Sequence, residues 1–152
     1  GETIEVNTPT HIESILTLEN GKNVSLLTSF DIYSSKQTNI EIYGTKGTLY
    51  VPDPNMFGGE VVFYNGEEKK EYIYKAEEHF DYFEGSRLLG LADMAKAIET
   101  GREGRTTYKQ TLHVLEVMDS VLKSAMTGKV YEIKSKYERT APMDATLPHG
   151  IL

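Results

Sequence analysis

Apolar and polar residues alternate with a period of two through the first half of the chain and recur at nearly four through the second, the change falling after His79. Segments 10–18 and 23–33 are rich in Ile, Leu, Val, Thr and Tyr and flank Glu19-Asn20-Gly21-Lys22. Asn-Gly favours a tight hairpin turn because both residues tolerate positive φ. Segments 38–43 and 48–51 flank a second short turn, Gly44-Thr45-Lys46-Gly47, and Pro52 and Pro54 stop the strand because proline cannot donate to a ladder. A third hairpin is expected from 61–64, Asn65-Gly66 and 70–74. The pattern predicts a meander of about six strands.

Beyond His79, Leu88, Leu91, Ala95 and Ile98 fall at helical spacing, with Gly101 placed as a left-handed carboxyl cap. In a second helix Thr107 and Gln110 form a capping box, Leu112, Leu115, Met118, Leu122 and Ala125 make one apolar stripe, and Gly128 ends it. Residues 130–133 are expected as a last edge strand, and residues 134–152, with Pro142 and Pro148, as an extended surface tail.

Strands first and helices afterwards predict an α+β fold, an open and mostly antiparallel sheet with the helices packed on one face. Alternation separates the two faces. In the second strand Val24, Leu26, Phe30 and Ile32 oppose Ser25, Leu27, Ser29, Asp31 and Tyr33, and in the third Ile40 and Ile42 oppose Asn39, Glu41 and Tyr43. One face is oily and the other mixed. Two helices cover one face only, which leaves the mixed face for water, a ligand or another protein surface.

Composition narrows the partners. The 152 residues carry 16 basic and 23 acidic side chains, a net charge of −7, which disfavours nucleic acid and anionic lipid. No run approaches the length of apolar residues needed to span a membrane, and there is no basic, then apolar, start of a secretory signal. With no cysteine there is no disulfide or thiolate chemistry, and a cytoplasmic setting is the default expectation. The chain opens Gly1-Glu2-Thr3 without an initiator Met, which fits a piece of a longer polypeptide.

No two of the thirteen glycines are spaced Gly-x-Gly, so no dinucleotide fingerprint is present, and Walker, Gly-x-Ser-x-Gly and His-Glu-x-x-His motifs are missing too. Gly101-Arg102-Glu103-Gly104 has the form of an RNA-binding Gly-x-x-Gly loop, but the acidic balance favours a helix cap followed by a turn. His79 with Asp81 and Glu84 reads as an ordinary charged loop, and no metal site is expected. Residues 80–87 combine three aromatics with Arg87, a composition able to stack on and hydrogen-bond a sugar or to close a core.

Several phrases fall in a familiar order: Gly1-Glu2-x-Ile4-x-Val6-x-Thr8-Pro9-Thr10-His11, the run from Ile40 through Gly44-Thr45-Lys46-Gly47 to Asn55, Phe57-Gly58-Gly59, Gly90-Leu91-Ala92-Asp93-Met94-Ala95, and His113-Val114-Leu115-Glu116-Val117-Met118. Together they resemble the carboxy-terminal domain of the glucose–fructose oxidoreductase, inositol dehydrogenase and MocA family. The resemblance implies a parent enzyme with an amino-terminal Rossmann domain that moves a hydride between NAD or NADP and a sugar, cyclitol or related polyol. It also implies that the open sheet lines the substrate site and forms a subunit interface, giving a homo-oligomer. The family's Glu-Lys-Pro and Asp-x-x-x-His motifs do not occur here, so no catalytic or cofactor residue is carried over.

The expectation is therefore that residues 1–133 form a substrate-side and oligomerisation domain separated from its Rossmann domain, inactive and without bound cofactor as it stands. His11, Tyr33, Tyr82 and Arg87 are the candidate substrate contacts, chosen by position. The alternative is a free-standing dimerising interaction module with no catalytic role.

Overall fold

The computed structural model describes residues 3–56, 58–75, 87–144 and 146. Tyr82, His79, His149 and most of the aromatic loop lie outside the described residues. The element order is β1 (His11–Thr17), β2 (Asn23–Ser29), β3 (Ile40–Gly44), β4 (Gly47–Val51), a single 3-10 turn (Pro54–Met56), β5 (Glu60–Asn65), β6 (Lys70–Lys75), α1 (Leu89–Thr100) and α2 (Tyr108–Thr127). The class is α+β with open antiparallel sheets. Six strands form, but as a two-stranded and a four-stranded sheet rather than one. The chain divides into two units, Gly1–Gln37 and Thr38–Leu152.

The first unit is the β1–β2 hairpin. Thr17 pairs with Asn23, and the loop between them closes through Leu18 N–H to Lys22 O and Gly21 N–H to Leu18 O, both 2.8 Å, with Gly21 at φ 77°. The register places Ile12, Ser14, Leu16, Val24 and Leu26 on one face and His11, Glu13, Ile15, Ser25 and Leu27 on the other. The second strand ends at Ser29, short of the expected Tyr33, where Asp31 N–H turns back onto Ser29 Oγ at 3.0 Å.

In the second unit the strands follow the order β3-β4-β5-β6, all antiparallel. Gly44 pairs with Gly47, so Thr45 and Lys46 alone make the turn. A Cβ at Gly47 would overlap the Tyr64 carbonyl oxygen and come within 2.8 Å of the Phe63 ring, so β4 and β5 approach closely only because Gly47 has no side chain. Cross-strand pairing fixes the faces. Ile40, Ile42, Leu49, Val51, Val61, Phe63, Tyr72 and Tyr74 share one, while Glu41, Tyr43, Thr48, Tyr50, Val62, Tyr64, Glu71 and Ile73 share the other. The division into an oily and a mixed face is the one the alternation predicts.

Both helices end as expected, on left-handed Gly101 (φ 70°) and Gly128 (φ 65°), and Thr107 Oγ1 caps α2 by accepting the Gln110 N–H at 3.2 Å. Neither helix makes a broad contact with the four-stranded sheet, and no described side chain on either sheet face is buried. Only Ala97 (4% exposed) and Asp93 (6%) are buried among the described residues. The predicted stripe of α2 is open, with Leu115 59% and Met118 60% exposed. Residues 130–133 join no ladder among the described residues, a correction to the expected edge strand.

Candidate functional site

Strand alternation builds the mixed face from phenols and carboxylates. Glu41 and Tyr43 lie two residues apart on β3 and so point the same way, and the Tyr43 hydroxyl donates to Glu41 Oε2 at 2.5 Å. Thr38 Oγ1 donates to the other carboxylate oxygen at 2.7 Å. The Tyr43 hydrogen bond, followed by that of Thr38, holds the Glu41 carboxyl below its usual range, while the same contact raises the Tyr43 phenol. Tyr43, Thr48, Tyr64 and Glu71 then form one row across four strands, and Glu41, Tyr50, Val62 and Ile73 form the next. With strands spaced about 4.8 Å apart, Tyr43 and Tyr64 stand about 10 Å from one another. Such a surface offers flat rings for C–H faces and fixed acceptors for hydroxyls.

His11 opens β1 opposite Ser29, with Nε2 3.4 Å from Glu13 Oε1 on the mixed face of the hairpin. Beside it Thr10 Oγ1 donates to Asp31 Oδ2 at 2.6 Å, tying down the chain that leads to the fully exposed Tyr33. His11 and Tyr33 thus belong to the same end of the first unit. Arg87 belongs to the second, where its Nη2 donates to Asn55 Oδ1 across 32 residues of sequence, with Asn55 placed by its own N–H to Asp53 Oδ1 at 2.8 Å. Tyr82 lies outside the described residues.

Two polar clusters stand apart from the sheet. Asp93, buried on α1 one turn before Ala97, receives Arg102 Nη2 at 2.6 Å and Arg105 Nη1 on Oδ1, and the Arg105 N–H at 2.9 Å on Oδ2. Burial opposes the charge on Asp93, but these donors outweigh it and hold the carboxyl at about 2. On α2, Glu116 accepts the N–H groups of Lys134 at 2.9 Å and Ser135 at 2.8 Å. The Ser135 hydroxyl, then the two backbone donors, bring the Glu116 carboxyl down to about 2. One turn earlier His113 Nδ1 lies 2.9 Å from Ser135 O, and its ring is tilted 54° against Tyr137 at 5.2 Å between centroids.

Sequence reading found the mixed face and missed both clusters. The i, i+2 spacing of Glu41 and Tyr43 is visible in the chain, whereas Asp93 with Arg102 and Arg105, or Glu116 with Ser135, follows no helical or strand period. Among the described residues no three His, Asp or Glu side chains gather as metal ligands, and no helix is long and apolar enough to cross a membrane. Neither helix is preceded by a Gly-x-Gly turn, so the described residues do not fit a dinucleotide pyrophosphate.

The geometry is that of an α+β domain offering open antiparallel sheet faces. The chain belongs to the glucose–fructose oxidoreductase, inositol dehydrogenase and MocA family, whose model, described as the oxidoreductase family C-terminal alpha/beta domain, matches residues 7–133. No curated protein and no solved structure gives a significant match.

Proposed function

We propose that this chain is the substrate-side domain of an NAD(P)-dependent oxidoreductase acting on a sugar, cyclitol or similar polyol, and that its open sheet also supplies a subunit interface. The observation that carries the reading is the mixed face of β3–β6, where Tyr43, Tyr50 and Tyr64 stand among Glu41, Thr48 and Glu71. A polyol needs several hydroxyl partners at once and an apolar plane for its ring carbons, and this face combines both. His11, Tyr33, Tyr82 and Arg87 are proposed as further substrate contacts. The oily face and the open stripe of α2 suit association with another protein surface. In this reading the nicotinamide cofactor is held by a companion domain, and a cytoplasmic homo-oligomer is the expected form.

The test is oxidation of a panel of inositols, aldoses and acyclic polyols by the parent polypeptide with NAD⁺ and with NADP⁺, followed by the absorbance of the reduced nicotinamide. Turnover confined to polyhydroxylated substrates is expected. Turnover of simple 2-hydroxy acids with every polyol inert would overturn the substrate class. A reading frame with no dinucleotide-binding domain would favour instead a dimerising interaction module, for which the open apolar stripe of α2 is the supporting feature.

A further inference from the structure

We propose that the cleft between the α1–α2 loop and tail residues 140–142 is a binding site for a small oxyanion, a phosphoryl or carboxylate group. None of its lining residues belongs to a strand, and it does not rest on the polyol reading. The cleft has a volume of about 250 Å³ and is lined by Arg102, Glu103, Arg105, Thr140, Ala141 and Pro142. Two guanidinium groups converge on one carboxylate oxygen, Asp93 Oδ1, so a single buried negative charge faces two positive ones.

The two arginines are engaged differently. Arg102 donates through Nη2 to Asp93 and through Nη1 to Glu103 O at 3.1 Å, which leaves little of its fork for a ligand. Arg105 donates to Asp93 through Nη1 only, and its Nε–Nη2 edge meets no partner among the described residues. That edge presents two parallel N–H groups, the geometry that grips a carboxylate or phosphate in two-pronged fashion.

Arg105 is also held in place before any ligand arrives. Its N–H is bound to Asp93 Oδ2 and its carbonyl accepts Thr140 Oγ1 at 2.6 Å, so little freedom is lost on binding. Ala141 and Pro142 give the cleft an apolar wall, which strengthens a charged contact beside it. Glu103, at the exposed rim, opposes an anion and sets its affinity below that of the bare pair of arginines.

The experiment is titration of the isotope-labelled chain with inorganic phosphate and with acetate at low ionic strength, with chloride as the control, read by amide shifts. One saturable site centred on Arg105, Thr140 and Ala141 is expected. Tighter phosphate binding assigns a phosphoryl group and tighter acetate binding a carboxylate. Arg105→Gln should weaken binding about tenfold or more, and Glu103→Gln should tighten it about threefold. Because Arg105→Gln also loosens the Asp93 contact, Ala141→Glu is the second variant, since it keeps both arginines and fills the cleft with a carboxylate. Loss of the site in Ala141→Glu supports the proposal. Shifts that match those of chloride, or binding unchanged in Ala141→Glu, overturn it.

Discussion

Asp93 shows how one buried carboxylate ties a helix to the loop that follows it. Its carboxylate takes three donors, so removing it leaves two guanidinium groups and an amide without their acceptor. Asp93→Ala should destabilise the chain by about 2 kcal/mol in urea unfolding. The pH dependence has a definite sign. Because the folded carboxyl titrates at about 2 and the ordinary one at 3.8, its stabilisation is complete above that ordinary value and is lost as pH falls toward the folded one. Asp93→Asn should flatten this part of the acid transition, and an unchanged acid profile would contradict the assignment. Glu116 works likewise on the tail. In Glu116→Ala the amides of Lys134 and Ser135 should exchange faster with solvent while the helical circular dichroism holds, since the carboxylate binds the tail and not its own helix.

The elements were legible in proportion to how local their causes are. The three hairpins, the Thr107 cap and the two glycine stops were readable because turn residues and caps act over three or four positions. Thr107→Ala should cost about 1 kcal/mol, measured by thermal unfolding. Gly47→Ala belongs to the same scale but should cost more, because a methyl group there meets the backbone of β5, which cannot swing aside. Loss of the β4–β5 amide protection would be its signature. Residues 130–133 have the alternation of a strand yet join no ladder among the described residues, and directly after them the carboxylate of Glu116 takes the N–H groups of Lys134 and Ser135. The pairing of a side chain with a distant backbone leaves no periodic trace. In the site, Glu41 and Tyr43 could be placed on one face from spacing alone, but the contact of Arg87 with Asn55 could not, since 32 residues separate them.

At the scale of the whole molecule the helices decide the behaviour. On α2 the half-buried positions are Gln110, His113, Glu116, Val117, Ser120, Val121 and Ser124, a continuous face that includes the residues latched to the tail. The apolar stripe of Leu112, Leu115, Met118 and Leu122 occupies another face and stays open. Exposed rows of this kind drive association. Sedimentation of the chain over a dilution series should therefore show concentration-dependent self-association, reduced in Leu115→Glu without loss of helicity. A chain that stays monomeric at every concentration would remove the interface from the proposed function.

By itself the sequence determined the order and type of the six strands and two helices, their turns and caps, and the oily and mixed faces, because each of these follows from neighbours a few residues apart. The tertiary structure alone decided that the six strands split two and four, that the tail lies against α2 by polar contacts, and that Asp93 draws two arginines together. Those outcomes depend on long-range pairing of charges and amides, for which burial and geometry, not periodicity, select the partner.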